Sequence, residues 1–87
     1  MNNMKILEIF IQVLAIGRSK HFSVSVDYDN EFDYVDMYLW YSPSESDFEL
    51  ADKISNRSHT YDEILNRLQE WQTAVREERK KDETNGL

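Results

Sequence analysis

Two runs of alternating polarity, separated by five residues, constrain this chain more than any other feature. From 21 to 28, Phe22, Val24, Val26 and Tyr28 share one face, while His21, Ser23, Ser25 and Asp27 share the other. From 34 to 41, Val35, Met37, Leu39 and Tyr41 share one face, and Tyr34, Asp36, Tyr38 and Trp40 the other. A period of two is the signature of a strand. The turn-prone Asp29-Asn30-Glu31 lies between the runs, so they predict an antiparallel hairpin. Parity narrows the register: to stack the even apolar set on the odd one, paired numbers must sum to an odd number. A sum of 61 gives a two-residue turn at Asn30-Glu31, 63 gives a six-residue loop, and a bulge shifts either. Alternation alone leaves these open.

The flanks read as helix. Residues 6–16 (ILEIFIQVLAI) are apolar around most of a helical circumference, with Lys5, Glu8, Gln12 and Ala15 forming one narrow polar or small stripe. Such a helix is expected to be buried on nearly every side. Gly17 follows where a helix end favours φ > 0. Ser42-Pro43-Ser44-Glu45 has the form of an N-cap serine, a proline at the first helical position and a capping-box glutamate. It predicts a short helix with Phe48, Ala51 and Ile54 inward. Asn56 to His59 reads as a loop. Thr60-Tyr61-Asp62-Glu63 is a second capping box, opening a helix with Tyr61, Ile64, Leu65, Leu68, Trp71, Ala74 and Val75 at helical spacing. Arg76, Arg79, Lys80 and Lys81 enrich its late turns in cations. The expectation is one α+β domain over 1–81, order α-β-β-α-α, a hairpin packed against helices, with a frayed tail over 82–87. A hydrophobic content of 40% suffices for a core, although 87 residues imply modest stability. The absence of cysteine suits a reducing, cytoplasmic setting.

Charge is unevenly placed. Of seventeen acids, nine fall between His21 and Asp52 (Asp27, Asp29, Glu31, Asp33, Asp36, Glu45, Asp47, Glu49 and Asp52), a stretch without Lys or Arg. Residues 61–81 are balanced, five acids against five bases. An acidic middle repels a nucleic-acid backbone and attracts a basic partner, although net charge also serves solubility.

Most chemistries lack their residues. An EF-hand counted from Asp27 would place Phe32 where glycine is needed and Tyr38 where a bidentate glutamate is needed. With only Gly17 and Gly86, neither a P-loop nor a dinucleotide fingerprint can be written. His21 and His59 stand apart in a chain without cysteine, so no metal is expected. His21 and Ser23 share a strand face, but no orienting carboxylate is implied. The nine acids offer many pairs, and nothing selects one for acid–base work. No catalytic residue, cofactor or metal site is therefore expected. Residues 6–16 are too few to span a membrane, and Glu8 and Gln12 do not suit a secretory leader.

The outer hairpin face remains. Tyr34, Tyr38 and Trp40 beside Asp27 and Asp36 have the composition of a protein-binding patch. Alternatively, a helix covers this face and the aromatics are core. Fewer than three heptads are available in the last helix, which counts against a coiled coil; a homodimer is nonetheless left open.

The pattern Phe22-x-Val24-x-Val26-x-Tyr28, then Val35-Asp36-Met37-x-Leu39-x-Tyr41, then Thr60-Tyr61-Asp62-Glu63-Ile64-Leu65 resembles small accessory proteins of phages and prophages of Gram-positive bacteria. Size and acidity are also similar to phage-encoded inhibitors of host defence, of the anti-CRISPR and anti-restriction kind. The resemblance implies a bacterial host cytoplasm as the setting. The expected role is a non-catalytic protein-binding module whose surface is Asp27, Asp29, Glu31, Asp33, Asp36, Tyr38 and Trp40. Its expected partner is a protein with a basic surface, with no direct nucleic-acid or membrane binding. The alternatives are a DNA mimic acting on a nucleic-acid-binding protein, and an oligomeric structural component.

Overall fold

The computed structural model describes residues 1–85, with side chains through Lys81. Among these the order is α1 (Asn3–Ile16), β1 (Phe22–Asp29), β2 (Tyr34–Tyr41), β3 (Glu49–Ser55) and α2 (Tyr61–Asn85). The strands form one antiparallel sheet in the order β1-β2-β3, and the fold is α+β.

β1 and β2 pair from Phe22↔Tyr41 to Asp29↔Tyr34, a register sum of 63. Pairing extends to Asp29 and Tyr34, so four residues, 30–33, close the hairpin. The even apolar set of β1 therefore lies over the odd set of β2, on the face that carries the core. Asp29 Oδ1 accepts from the Glu31 amide at 2.9 Å, and Asp33 adopts φ 54°, which together turn the chain.

The helix expected after Ser42 is instead a strand. The serines form a turn instead: Ser44 Oγ accepts from the Asp47 amide at 3.4 Å, and the Ser42 amide donates to the His21 carbonyl at 2.8 Å. Glu45 sits at φ 67°, which stops a helix from propagating. The physical reason lies in β2. It is apolar or aromatic on both faces, the mark of a central strand that needs a partner along each edge. A lone hairpin would leave one edge unpaired and be marginally stable. Ile54 is inward as expected, beside Met37, whereas Phe48 and Ala51 are exposed.

The register of β3 slips between Leu39 and Trp40, so that Leu39 pairs with Asp52 and Trp40 with Leu50. Ala51 is the extra residue of a bulge. The slip sends Leu50 to the face opposite the core.

Both helices pack on one side of the sheet. The core joins Ile9 and Ile16 of α1, Val35, Met37, Leu39 and Ile54 of the sheet, and Ile64, Leu68, Trp71 and Val75 of α2. The helices run parallel: Lys5 lies over the Tyr61 ring, and Gly17 lies beside Arg79. α2 opens with the expected capping box, the Thr60 amide donating to Glu63 Oε1 at 3.0 Å and the Glu63 amide to Thr60 Oγ1 at 3.2 Å. The backbone of α2 is helical through Asn85, so its bases precede the last turn rather than occupy it. The expectation of a frayed tail falls on 82–87, of which 86–87 lie outside the described residues.

α1 departs from expectation. It buries only Ile6, Ile9 and Ile16, and leaves Met4, Leu7, Ile11 and Leu14 exposed. With two helices sharing one side of a three-stranded sheet, no other described element covers the far side of the first. No described helix is long and apolar enough to cross a membrane.

Candidate functional site

Because both helices occupy one side, the other side of the sheet faces solvent. It carries Ser25, Asp27 and Asp29 from β1, Tyr34, Asp36, Tyr38 and Trp40 from β2, and Leu50, Lys53 and Ser55 from β3. The aromatics are therefore not core. Trp40 Nε1 donates to Ser25 Oγ at 2.8 Å, which fixes the indole across the β1 side of the sheet. Tyr38 lies 6.2 Å from Trp40, centroid to centroid, and Lys53 Nζ sits 5.5 Å from the Tyr38 ring. Phe32, 58% exposed, stacks on Tyr34 at 5.6 Å and continues the aromatic row to the hairpin tip. Leu50, 51% exposed, extends it at the other end.

Asp27 and Asp36 are direct cross-strand neighbours, an arrangement of like charges that costs stability. Arg57 offsets it. Its Nη2 donates to Asp36 Oδ2 at 2.7 Å, and its guanidinium lies 5.1 Å from the Tyr34 ring centroid. Asp36 is consequently buried, and among the described residues its Oδ1 has no hydrogen-bond partner. Burial opposes its ionisation, but the nearby Ser55 hydroxyl dipole and the Arg57 guanidinium outweigh that, and its pKa lies below the ordinary aspartate value. Asp27, Asp29, Tyr34, Asp36 and Arg57 line a shallow groove of about 280 Å³, on whose rim Asp27 and Asp29 are exposed.

The structure thus brings Asp27, Asp29, Tyr38 and Trp40 onto one open face. Glu31 is exposed in the turn at its end. Asp36 belongs to this face but is neutralised and covered, so it acts as a floor rather than a contact. Asp33 is diverted: its Oδ1 accepts from the Tyr28 hydroxyl at 2.8 Å, and Tyr28 belongs to the core-side set. That bond, with burial and the charges of Asp33 and Asp29, raises the Tyr28 pKa. Lys53, Arg57 and Leu50 complete the face and escaped sequence reasoning. The two-sided apolarity of β2 was the available signal, since it demands a third strand.

His21 acquires the carboxylate that the sequence did not reveal. Its Nδ1 lies 2.6 Å from Glu78 Oε1, which also accepts from the His21 amide at 3.1 Å, and its Nε2 lies 3.7 Å from Glu45. Among the described residues no hydroxyl hydrogen-bonds to this ring, so the cluster fastens α2 to the start of β1 and the turn after β2. On the core side, Asp52 accepts from Trp71 Nε1 at 2.8 Å and from Arg67 Nη1 at 2.9 Å, tying β3 to α2. Partial burial opposes Asp52 ionisation, but the bonds from Trp71, Arg67 and the Lys53 amide prevail, and its pKa is lowered. Among the described residues no three His, Asp or Glu side chains converge as a metal site. No protein-family model matches the chain, and neither a curated protein nor a solved structure does so.

Proposed function

We propose that this chain is a non-catalytic protein-binding module, and that its binding surface is the open face of the sheet. The observation that carries this reading is the placement of both helices on the opposite side. That leaves Tyr38, Trp40, Phe32 and Leu50 in contact with water beside the rim carboxylates Asp27 and Asp29. Rigid aromatics beside a few fixed charges make contact area at low entropic cost. The acidic rim selects a partner with a basic surface and accelerates encounter. Arg57 and Lys53 set cations within the same face, which favours a protein partner over imitation of a phosphate backbone. The bacterial host cytoplasm is the proposed setting, supported by the cysteine-free composition and by the resemblance to phage accessory proteins.

Immobilised chain exposed to a bacterial lysate tests this. A specific protein is expected to be captured, to elute as salt rises, and to be lost when the bait carries Asp27→Asn with Asp29→Asn, or Trp40→Ser. Duplex DNA in excess is expected not to compete. An identical set of captured proteins on wild-type and variant baits, with unchanged circular dichroism, would remove the open face from the function.

A further inference from the structure

We infer that α1 is the contact surface of a symmetric homodimer. Met4, Leu7, Ile11 and Leu14 are 72%, 52%, 48% and 80% exposed. They follow one another at intervals of three, four and three residues, a single stripe on the side of α1 opposite Ile6, Ile9 and Ile16. This is the spacing of a helix–helix seam, and no described element of the chain fills it. The apolar surface continues onto the sheet edge. Leu14 and Val13 border an open groove of about 460 Å³ whose far side is Val24 and Val26 of β1, and Phe10 packs edge-on against Tyr28 at 5.6 Å.

A second copy is the occupant that fits. A two-fold axis crossing α1 near its middle sets Met4 against Leu14 of the other copy and Leu7 against Ile11, so the stripe is complementary to itself. The antiparallel helices then place their dipoles in opposition. Charge permits the approach here more than across the acidic stretch from His21 to Asp52. Residues 1–20 carry three bases and one acid, whereas the other sixteen acids of this −7 chain lie beyond them. Area is also sufficient. At about 150–200 Å² for a large side chain in full exposure, the stripe with Phe10, Val24, Val26 and Tyr28 offers roughly 600 Å² per chain. Two copies together reach about 1,200 Å², the lower bound of a specific interface. The open face of the sheet stays outside this contact, so a dimer would present it twice.

Sedimentation equilibrium of the full chain across the micromolar range tests the inference. The expected mass is twice the 10.4 kDa of the chain. Leu14→Lys is expected to raise the dimer dissociation constant roughly a hundredfold, because each substitution counts twice in a symmetric interface. Leu14 and Met4 are both largely exposed, so Leu14→Lys and Met4→Lys should keep the wild-type circular dichroism. A wild-type chain that is monomeric throughout overturns the inference, and binding of that monomer to phosphatidylcholine vesicles would assign the stripe to lipid instead. A dimer indifferent to both substitutions also overturns it.

Discussion

Arg57 is the side chain on which the open face depends most. It neutralises the buried half of a like-charge pair, Asp27 and Asp36, and covers the Tyr34 ring. Arg57→Met keeps the stem and removes the charge, leaving Asp36 buried beside Asp27. A lower urea midpoint is expected, with the fall moderated because Arg57 is itself half exposed. Asp27→Asn in the same background should recover part of it, since the cross-strand repulsion then disappears. If Arg57→Met and wild type unfold at the same urea concentration, the ion pair contributes nothing. Arg57 escaped sequence reasoning because it lies 21 residues from Asp36 in a segment that reads only as a loop.

At the scale of elements, the ends of the helices obey their local sequence. Thr60 and Glu63 form the reciprocal bonds that their spacing predicts. Gly17 ends α1 at φ 70°, ψ −150°, a region essentially restricted to glycine. A Cβ there would also approach Arg79 Nη1 to 2.8 Å, although that side-chain end can move. Backbone strain therefore dominates, and Gly17→Ala is expected to destabilise by about 1–3 kcal/mol in thermal unfolding. Gly17→Asn should cost much the same. An unchanged melting temperature for Gly17→Ala would mean that the turn relaxes to another conformation. Less legible was the segment after β2, where a good capping sequence yields a serine-rich turn. Its local preference was overridden by the unpaired edge of β2, which gains a ladder from Asp36 to Tyr41 by pairing with β3.

For the molecule as a whole, stability should depend on pH through its anchored carboxylates. Asp36, Asp52 and Glu63 all have folded pKa values below the ordinary 3.8 for aspartate and 4.5 for glutamate. The unfolded chain therefore binds more protons in acid than the folded one. Their contribution is complete above the unfolded values and is lost as pH falls from about 4.5 through the lower folded values. The melting temperature should thus fall over that window. Asp52→Asn should lower stability at neutral pH and flatten the acid fall relative to wild type. This comparison cancels the relief of self-repulsion that protonating the other acids brings. Parallel melting curves against pH for the two proteins would remove Asp52 from the linkage.

The sequence by itself determined what neighbours along the chain decide. The hairpin and the core-facing side of its strands follow from alternation, the start of α2 from Thr60 and Glu63, and the end of α1 from Gly17. Only the tertiary structure decided what depends on surfaces meeting: the choice of register 63, the strand after β2, and which side of α1 is buried. The same holds for the open aromatic face and for the pairings Asp36–Arg57, Asp52–Trp71 and His21–Glu78, which join residues 19 to 57 positions apart. The physical reason is that backbone preference and capping act within a few residues. Burial of an apolar face is instead settled by whichever element can cover it, and α1 has two such faces and one covering partner.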